Sequence, residues 1–339
     1  MIKGGGVLML KALRNPDLYH GKNKKGSFFE GWYFKIVHPK KEYSYCFIPG
    51  IFLSTREEHS HSFIQIVNGN EVEFKYVRFK KGEFETGKDK FNLSIGKNSF
   101  SFEGLNLHIE EGEKIFGKLL FKNIKTWPDS LINPGSMGFY NYLDFMQCYS
   151  QVCAVDGDIE GSLEINGKNV DFTGGKLYIE KNWGKDFPYS YIWLQGNSFT
   201  SEEAAFTCSI GHIPFLRSSF TGFLIGIYVK ERFYKFTTIN RSSISINFEK
   251  ESFILEAHSK EASLQVEAKY SEVSFMDLYA PREEHMVPLA RESLQGKLKV
   301  TLYDKKRACT ILMDNCSCAG IEFSGNYKNL CRRIGRAGL

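Results

Sequence analysis

The residues of this chain that could do chemistry crowd into one corner, Gly175-Lys-Leu-Tyr-Ile-Glu-Lys-Asn-Trp-Gly-Lys-Asp-Phe-Pro188, followed closely by Tyr191-Ile-Trp-Leu-Gln-Gly-Asn-Ser-Phe199. The corner holds an acid (Glu180), two bases (Lys181, Lys185), an amide (Asn182) and Trp183. Gly184 and Pro188 break regular structure, so the stretch reads as a strand, a sharp turn and a second strand. Side chains alternate along a strand, which places Tyr191, Trp193, Gln195, Asn197 and Phe199 on one face. Large aromatics with a few amides among them can line a small-molecule pocket. The same pattern suits a sandwich core with two satisfied polar groups. Upstream, Phe28–Val37 alternates strongly and gathers Glu30, Trp32, Phe34 and Ile36 on one face. An acid on an apolar face either ends in solvent or projects into a cavity as a working group. For Glu180 and Lys181 the plainer alternative is a turn-stabilising ion pair.

The elements that must hold these residues are strands. Aromatic content is 15%, with 29 Phe and 17 Tyr, and a chain rich in such residues leans towards β-structure. Strand signals recur about every ten residues from Tyr43 to Phe121, separated by Gly, Asn and Lys clusters such as Asn68-Gly69-Asn70. Two prolines and two glycines make Trp127–Tyr140 irregular. Leu143–Ala154 then reads as a strand with Phe145, Gln147, Tyr149 and Gln151 on one face. Strands resume from Ala204 to Ala268, and 271–292 reads as a loop or short helix. Leu294–Leu302, Ala308–Met313 and Gly320–Phe323 complete the pattern. The expectation is an all-β chain of antiparallel sandwiches or barrels. Its divisions are a lead-in (1–20) with Asn15-Pro16-Asp17 as a turn, β domains at 21–187 and 188–330, and a basic tail (331–339).

Several function classes are disfavoured. Net charge is +5 with mixed signs, leaving no nucleic-acid footprint. The small basic clusters Lys22–Lys25 and Cys331–Arg336 suit at most a transient contact with a membrane surface. The eight cysteines form no C-x-x-C pair and read as reduced thiols of a cytoplasmic protein. Val7–Leu10 is too short for a signal-peptide core, and no apolar run spans a bilayer. His59 and His61 alternate but lack the third ligand a metal site needs. No hydrolase elbow, zincin, P-loop or dinucleotide motif occurs.

Phe28-Phe-Glu-Gly-Trp-Tyr-Phe-Lys35, Tyr178–Pro188, Tyr191–Phe199, Gly296–Asp304 and Ala319-Gly-Ile-Glu322 together resemble the tocopherol cyclase family, from about residue 27 to 325. The resemblance implies two lipocalin-like β-barrel or sandwich domains sharing an apolar cavity. It also implies cofactor-free closure of a chromanol ring from a prenylated hydroquinone. In that chemistry an acid protonates an alkene carbon and a sheltered tertiary cation is trapped by the phenol oxygen. Carried onto this sequence, the acid is Glu180 or Glu30. The apolar ligand lies among Trp32, Tyr149, Gln151, Asn182, Trp183, Trp193, Gln195 and Asn197. A family histidine expected within Cys148–Cys153 is missing. The alternative function is a non-catalytic carrier of an apolar isoprenoid or lipid.

Overall fold

A computed structural model of the chain describes residues 14–201, 203–215 and 218–330. The Val7–Leu10 run and the basic tail lie outside them. Among the described residues the regular structure is almost entirely β, with short 3-10 turns such as Gly21–Asn23 and Gly138–Tyr142 between strands and helical residues at 14 and 328–330. Two antiparallel sheets form.

The first sheet runs from Glu73–Phe79 through His61–Asn68 and Ser44–Leu53 to Phe28–Val37, which pairs with Gly175–Gly184. It continues through Asp156–Ile165 and Ile115–Lys125 into a meander that ends at Phe84–Thr86. Cys148–Ala154 adds to the other side of Gly175–Gly184 near its end. One face of this sheet closes on a core that includes Trp32, Phe34, Ile36, Phe47, Leu177 and Ile179. Each such side chain, fully buried, contributes roughly 1.5–3 kcal/mol.

The second sheet places Tyr191–Gly196 between Ala204–Phe215 and Cys309–Ser324. Its core includes Ile192, Leu194, Phe206, Val266, Leu298 and Ile321. By packing, the chain divides into two compact units. Among the described residues, one comprises 14–68, Phe74–Phe187 and Tyr279–Pro288; the other comprises Gly69–Glu73, Pro188–Leu278 and 289–330.

Four expectations need correction. Residues 271–292 hold no helix beyond a single 3-10 turn; they form the strand Met276–Arg282 and the start of His285–Asp304. Charged Arg282–Glu284 interrupts the alternation there, and Glu283 and Glu284 make the turn with φ of 48° and 67°. The strand expected from Leu143 begins only at Cys148, because the irregular loop runs on to Gln147. Tyr191–Phe199 stops as a strand at Gly196, and Phe199 makes an isolated bridge to Cys316. Finally, Ala308–Met313 and Gly320–Phe323 belong to one strand, Cys309–Ser324.

Candidate active site

The site follows from register. Trp32 lies directly opposite Lys181, and Glu30 opposite Trp183. On the other side of the same strand, Gln151 lies opposite Lys181 and Tyr149 opposite Trp183. Directly opposed residues of antiparallel strands share a face. Glu30, Trp32, Tyr149, Gln151, Lys181 and Trp183 therefore point the same way, continuing the core face of Leu177 and Ile179. Gly184, with φ of 148°, permits the close approach of these strands; an added Cβ would collide with the Gln147 carbonyl oxygen.

At the centre is a buried ion pair, Lys181 Nζ 2.7 Å from Glu30 Oε1, with neither side chain exposed. A segment just before the first strand closes over it. Lys181 Nζ donates to the Leu18 carbonyl at 2.5 Å and lies 3.1 Å from His20 Nδ1. The His20 backbone N–H donates to Glu30 Oε2 at 2.8 Å, and its ring Nδ1 lies 3.3 Å from Glu30 Oε1. The Lys181 ammonium stands 5.2 Å from the Trp32 ring centroid and 4.6 Å from that of Trp183. Trp183 is stacked between His20 (4.2 Å, 7°) and Tyr149 (5.2 Å, 8°). Trp32 is 1% exposed, and its indole Nε1 has no hydrogen-bond acceptor among the described residues.

Two carboxyls in this cluster are pushed in opposite directions. Burial would raise the Glu30 pKa, but the Lys181 charge and the adjoining His20 outweigh it and hold the group below the ordinary range. Asp17 is half-buried. Burial pushes its carboxyl up, against the opposing hydrogen bond from Gln151 and the charge of Lys181. Gln151 links the parts: its Nε2 donates to Asp17 Oδ1 at 2.9 Å, and its Oε1 accepts from the Ser136 backbone at 2.9 Å. Gly135, with φ of 62°, lets that loop approach, since an added Cβ would strike Gln151 Oε1. Such a pair can divide the roles of proton donor and charged anchor.

Glu180 and Asn182 lie on the opposite face. Glu180 accepts from Ser150 Oγ at 2.8 Å and from Tyr178 OH at 2.7 Å. The ion pair weighed for Glu180 and Lys181 forms between Glu30 and Lys181 instead, because neighbouring residues of one strand face apart. Trp193, Gln195 and Asn197 stand in the second unit. There Trp193 and Gln195 share a face with Tyr191, opposite the core residues Ile192 and Leu194, and Gln195 Nε2 donates to Asn197 Oδ1 at 3.1 Å. Tyr191 OH donates to Glu322, a partner that strand alternation alone did not suggest. Asp17 and His20 were also missed. Their only sequence signal is an acid, an aromatic and a histidine in the few residues before the first strand. No cluster of three or more His, Cys, Asp or Glu suited to a metal occurs among the described residues.

The tocopherol cyclase-like family model matches residues 113–325. The chain belongs to the tocopherol cyclase-like family. Among relatives in this family, a probable chloroplastic tocopherol cyclase of Oryza sativa subsp. japonica is 23% identical, over 93% of this chain and 79% of that protein. The chloroplastic tocopherol cyclase of Zea mays is 24% identical, over 87% and 74%. Two solved structures share the family member's fold. CghA, solved with Sch210972, aligns with a TM-score of 0.56 at 8% identity, covering 88% of each chain. Kievitone hydratase from Nectria haematococca aligns with a TM-score of 0.51 at 11% identity, covering 92% of this chain and 94% of that one.

Proposed function

We propose that this protein is a tocopherol cyclase-like enzyme that closes a ring in a prenylated hydroquinone or related isoprenoid by acid catalysis. The observation that carries this reading is the shared face of Glu30, Trp32, Tyr149, Gln151, Lys181 and Trp183. Addition of a phenol oxygen to an alkene needs a proton delivered to carbon and a tertiary cation kept from water. The Glu30–Lys181 pair is anchored and paired, so it fixes local charge rather than supplying the proton. Aromatic rings around it exclude water and lower the local dielectric, which strengthens every electrostatic term in the site. The Trp32 N–H and the Gln151 amide are donors suited to orienting oxygen atoms of the head group. Glu180, bonded to Tyr178 and Ser150 on the other face, supports that layer from behind.

Entry of an apolar substrate from a lipid surface fits the irregular loop at 127–147. Leu131 and Ile132 are 81% and 79% exposed, and Phe139, Tyr142 and Phe145 are exposed beside them in sequence. The same loop bonds Gln151 through Ser136. A reducing compartment such as the cytoplasm belongs to this reading, with the seven cysteines among the described residues as thiols. Among the described residues no helix is long and apolar enough to cross a membrane.

The test is incubation of purified protein with prenylated hydroquinones. An isomer of equal mass lacking one phenol O–H supports the cyclase. Substrate bound and returned unchanged supports the carrier instead.

A further inference from the structure

We infer that Asp17 is the proton donor of the cyclisation, delivered to the inner face by the segment that precedes the first strand. This rests on the cyclase reading and names the acid within it. Three carboxyls compete for the role, and geometry separates them. Glu30 is fully buried and both of its oxygens are engaged, one by Lys181 and His20, the other by the His20 backbone. Glu180 is 3% exposed, faces away from the indoles, and receives hydroxyl donors on both oxygens. Asp17 differs from both in being only half-buried; Gln151 fixes it through Oδ1, and the Cys153 thiol bonds the same carboxyl.

The charged and titratable groups that act on it are Lys181, Cys153 and Asp129, and Lys181 in turn contacts Glu30 and His20. Burial outweighs the Gln151 hydrogen bond and the Lys181 charge, so the Asp17 carboxyl keeps its proton to higher pH than an ordinary aspartate. In the step, the Asp17 O–H bond breaks and a C–H bond forms at the less substituted alkene carbon. The alkene π pair is consumed and the more substituted carbon becomes cationic. The phenol oxygen then forms the C–O bond, its O–H breaks, and that proton returns to Asp17. Substrate and product are isomers, and no co-reactant is needed.

The experiment compares wild type, Asp17→Asn and Asp17→Glu, with a trimethylhydroquinone bearing a geranyl chain as probe, in D2O. Circular dichroism reports folding, tryptophan quenching reports probe binding, and mass spectrometry reports product. Wild type is expected to give a chromanol carrying one deuterium on carbon. Asp17→Asn should lose about 100-fold or more in kcat while binding the probe within about threefold of wild type, and Asp17→Glu should recover part of the rate. An Asp17→Asn rate within about threefold of wild type overturns the assignment and leaves the cyclase standing. No product from wild type overturns the cyclase reading and the assignment together. If Asp17→Asn does not fold, carbon-13 NMR of the aspartate carboxyls decides. One aspartate titrating above the rest, and rising further in Gln151→Leu, supports the assignment; all titrating in the ordinary range overturns it.

Discussion

Lys181 and Glu30 are joined at 2.7 Å with neither side chain exposed, although 150 residues separate them in the chain. Removing one member strands a buried charge, at a cost of about 3–5 kcal/mol. Lys181→Met and Glu30→Gln should each destabilise strongly in urea titrations, and the double variant should cost clearly less than both together. Additive losses would mean that the pair is not coupled.

Glu284 gives a pH prediction. Its carboxylate accepts from Ser27 Oγ, from Ser54 Oγ and the Thr55 backbone at 2.7 Å each, and from Thr55 Oγ1 at 3.2 Å. These bonds, led by that from Ser27, lower its pKa from 4.5 to about 2. Because the folded value is depressed, the stabilisation is present above about pH 4.5 and is lost as pH falls towards about 2. Glu284→Gln should therefore be less stable than wild type at neutral pH, with the gap closing through that window. A gap independent of pH would contradict the assignment.

Gly184→Ala should strain a position where φ is 148° and the Gln147 carbonyl leaves no room for Cβ. The expected loss is of order 1–3 kcal/mol, with a shift in tryptophan emission as the stack of Tyr149, Trp183 and His20 is disturbed. Thermal unfolding followed by fluorescence checks this; an unchanged Tm and spectrum would count against the close approach.

Leu131→Ser with Ile132→Ser should weaken flotation with neutral phosphatidylcholine vesicles by about tenfold, since each removes apolar surface worth on the order of 1 kcal/mol or more from a lipid contact. Stability should change little, because both residues are exposed. Equal flotation of variant and wild type would remove the loop from the lipid contact.

Strand periodicity made the all-β fold legible, Glu30 and Trp32 emerged from local alternation, and Trp183 stood out by its place in the Gly175–Pro188 corner. Which face of Gly175–Gly184 turns inward was not legible. Alternation separates Glu180 from Lys181, but only pairing with the distant Phe28–Val37 strand decides which of them meets the core. A one-residue slip would exchange them. Alternation put Tyr149 and Gln151 on one face, and they share it with Lys181 and Trp183, even though the strand holding them begins later than alternation suggested. Asp17 and His20 lie where no period exists to read, and their placement depends on bonds to Lys181, Glu30 and Gln151.

The central claim is that chemistry occurs on the Lys181 face of the sheet, and adjacent residues of one strand test it most directly. Gln151 points to that face; Ser150 points away and bonds Glu180. With the prenylated hydroquinone probe, Gln151→Leu should lower kcat/KM by about 100-fold, and Ser150→Ala should stay within about threefold of wild type. Loss of turnover in Ser150→Ala with Gln151→Leu unaffected would place the chemistry on the Glu180 face and contradict this account.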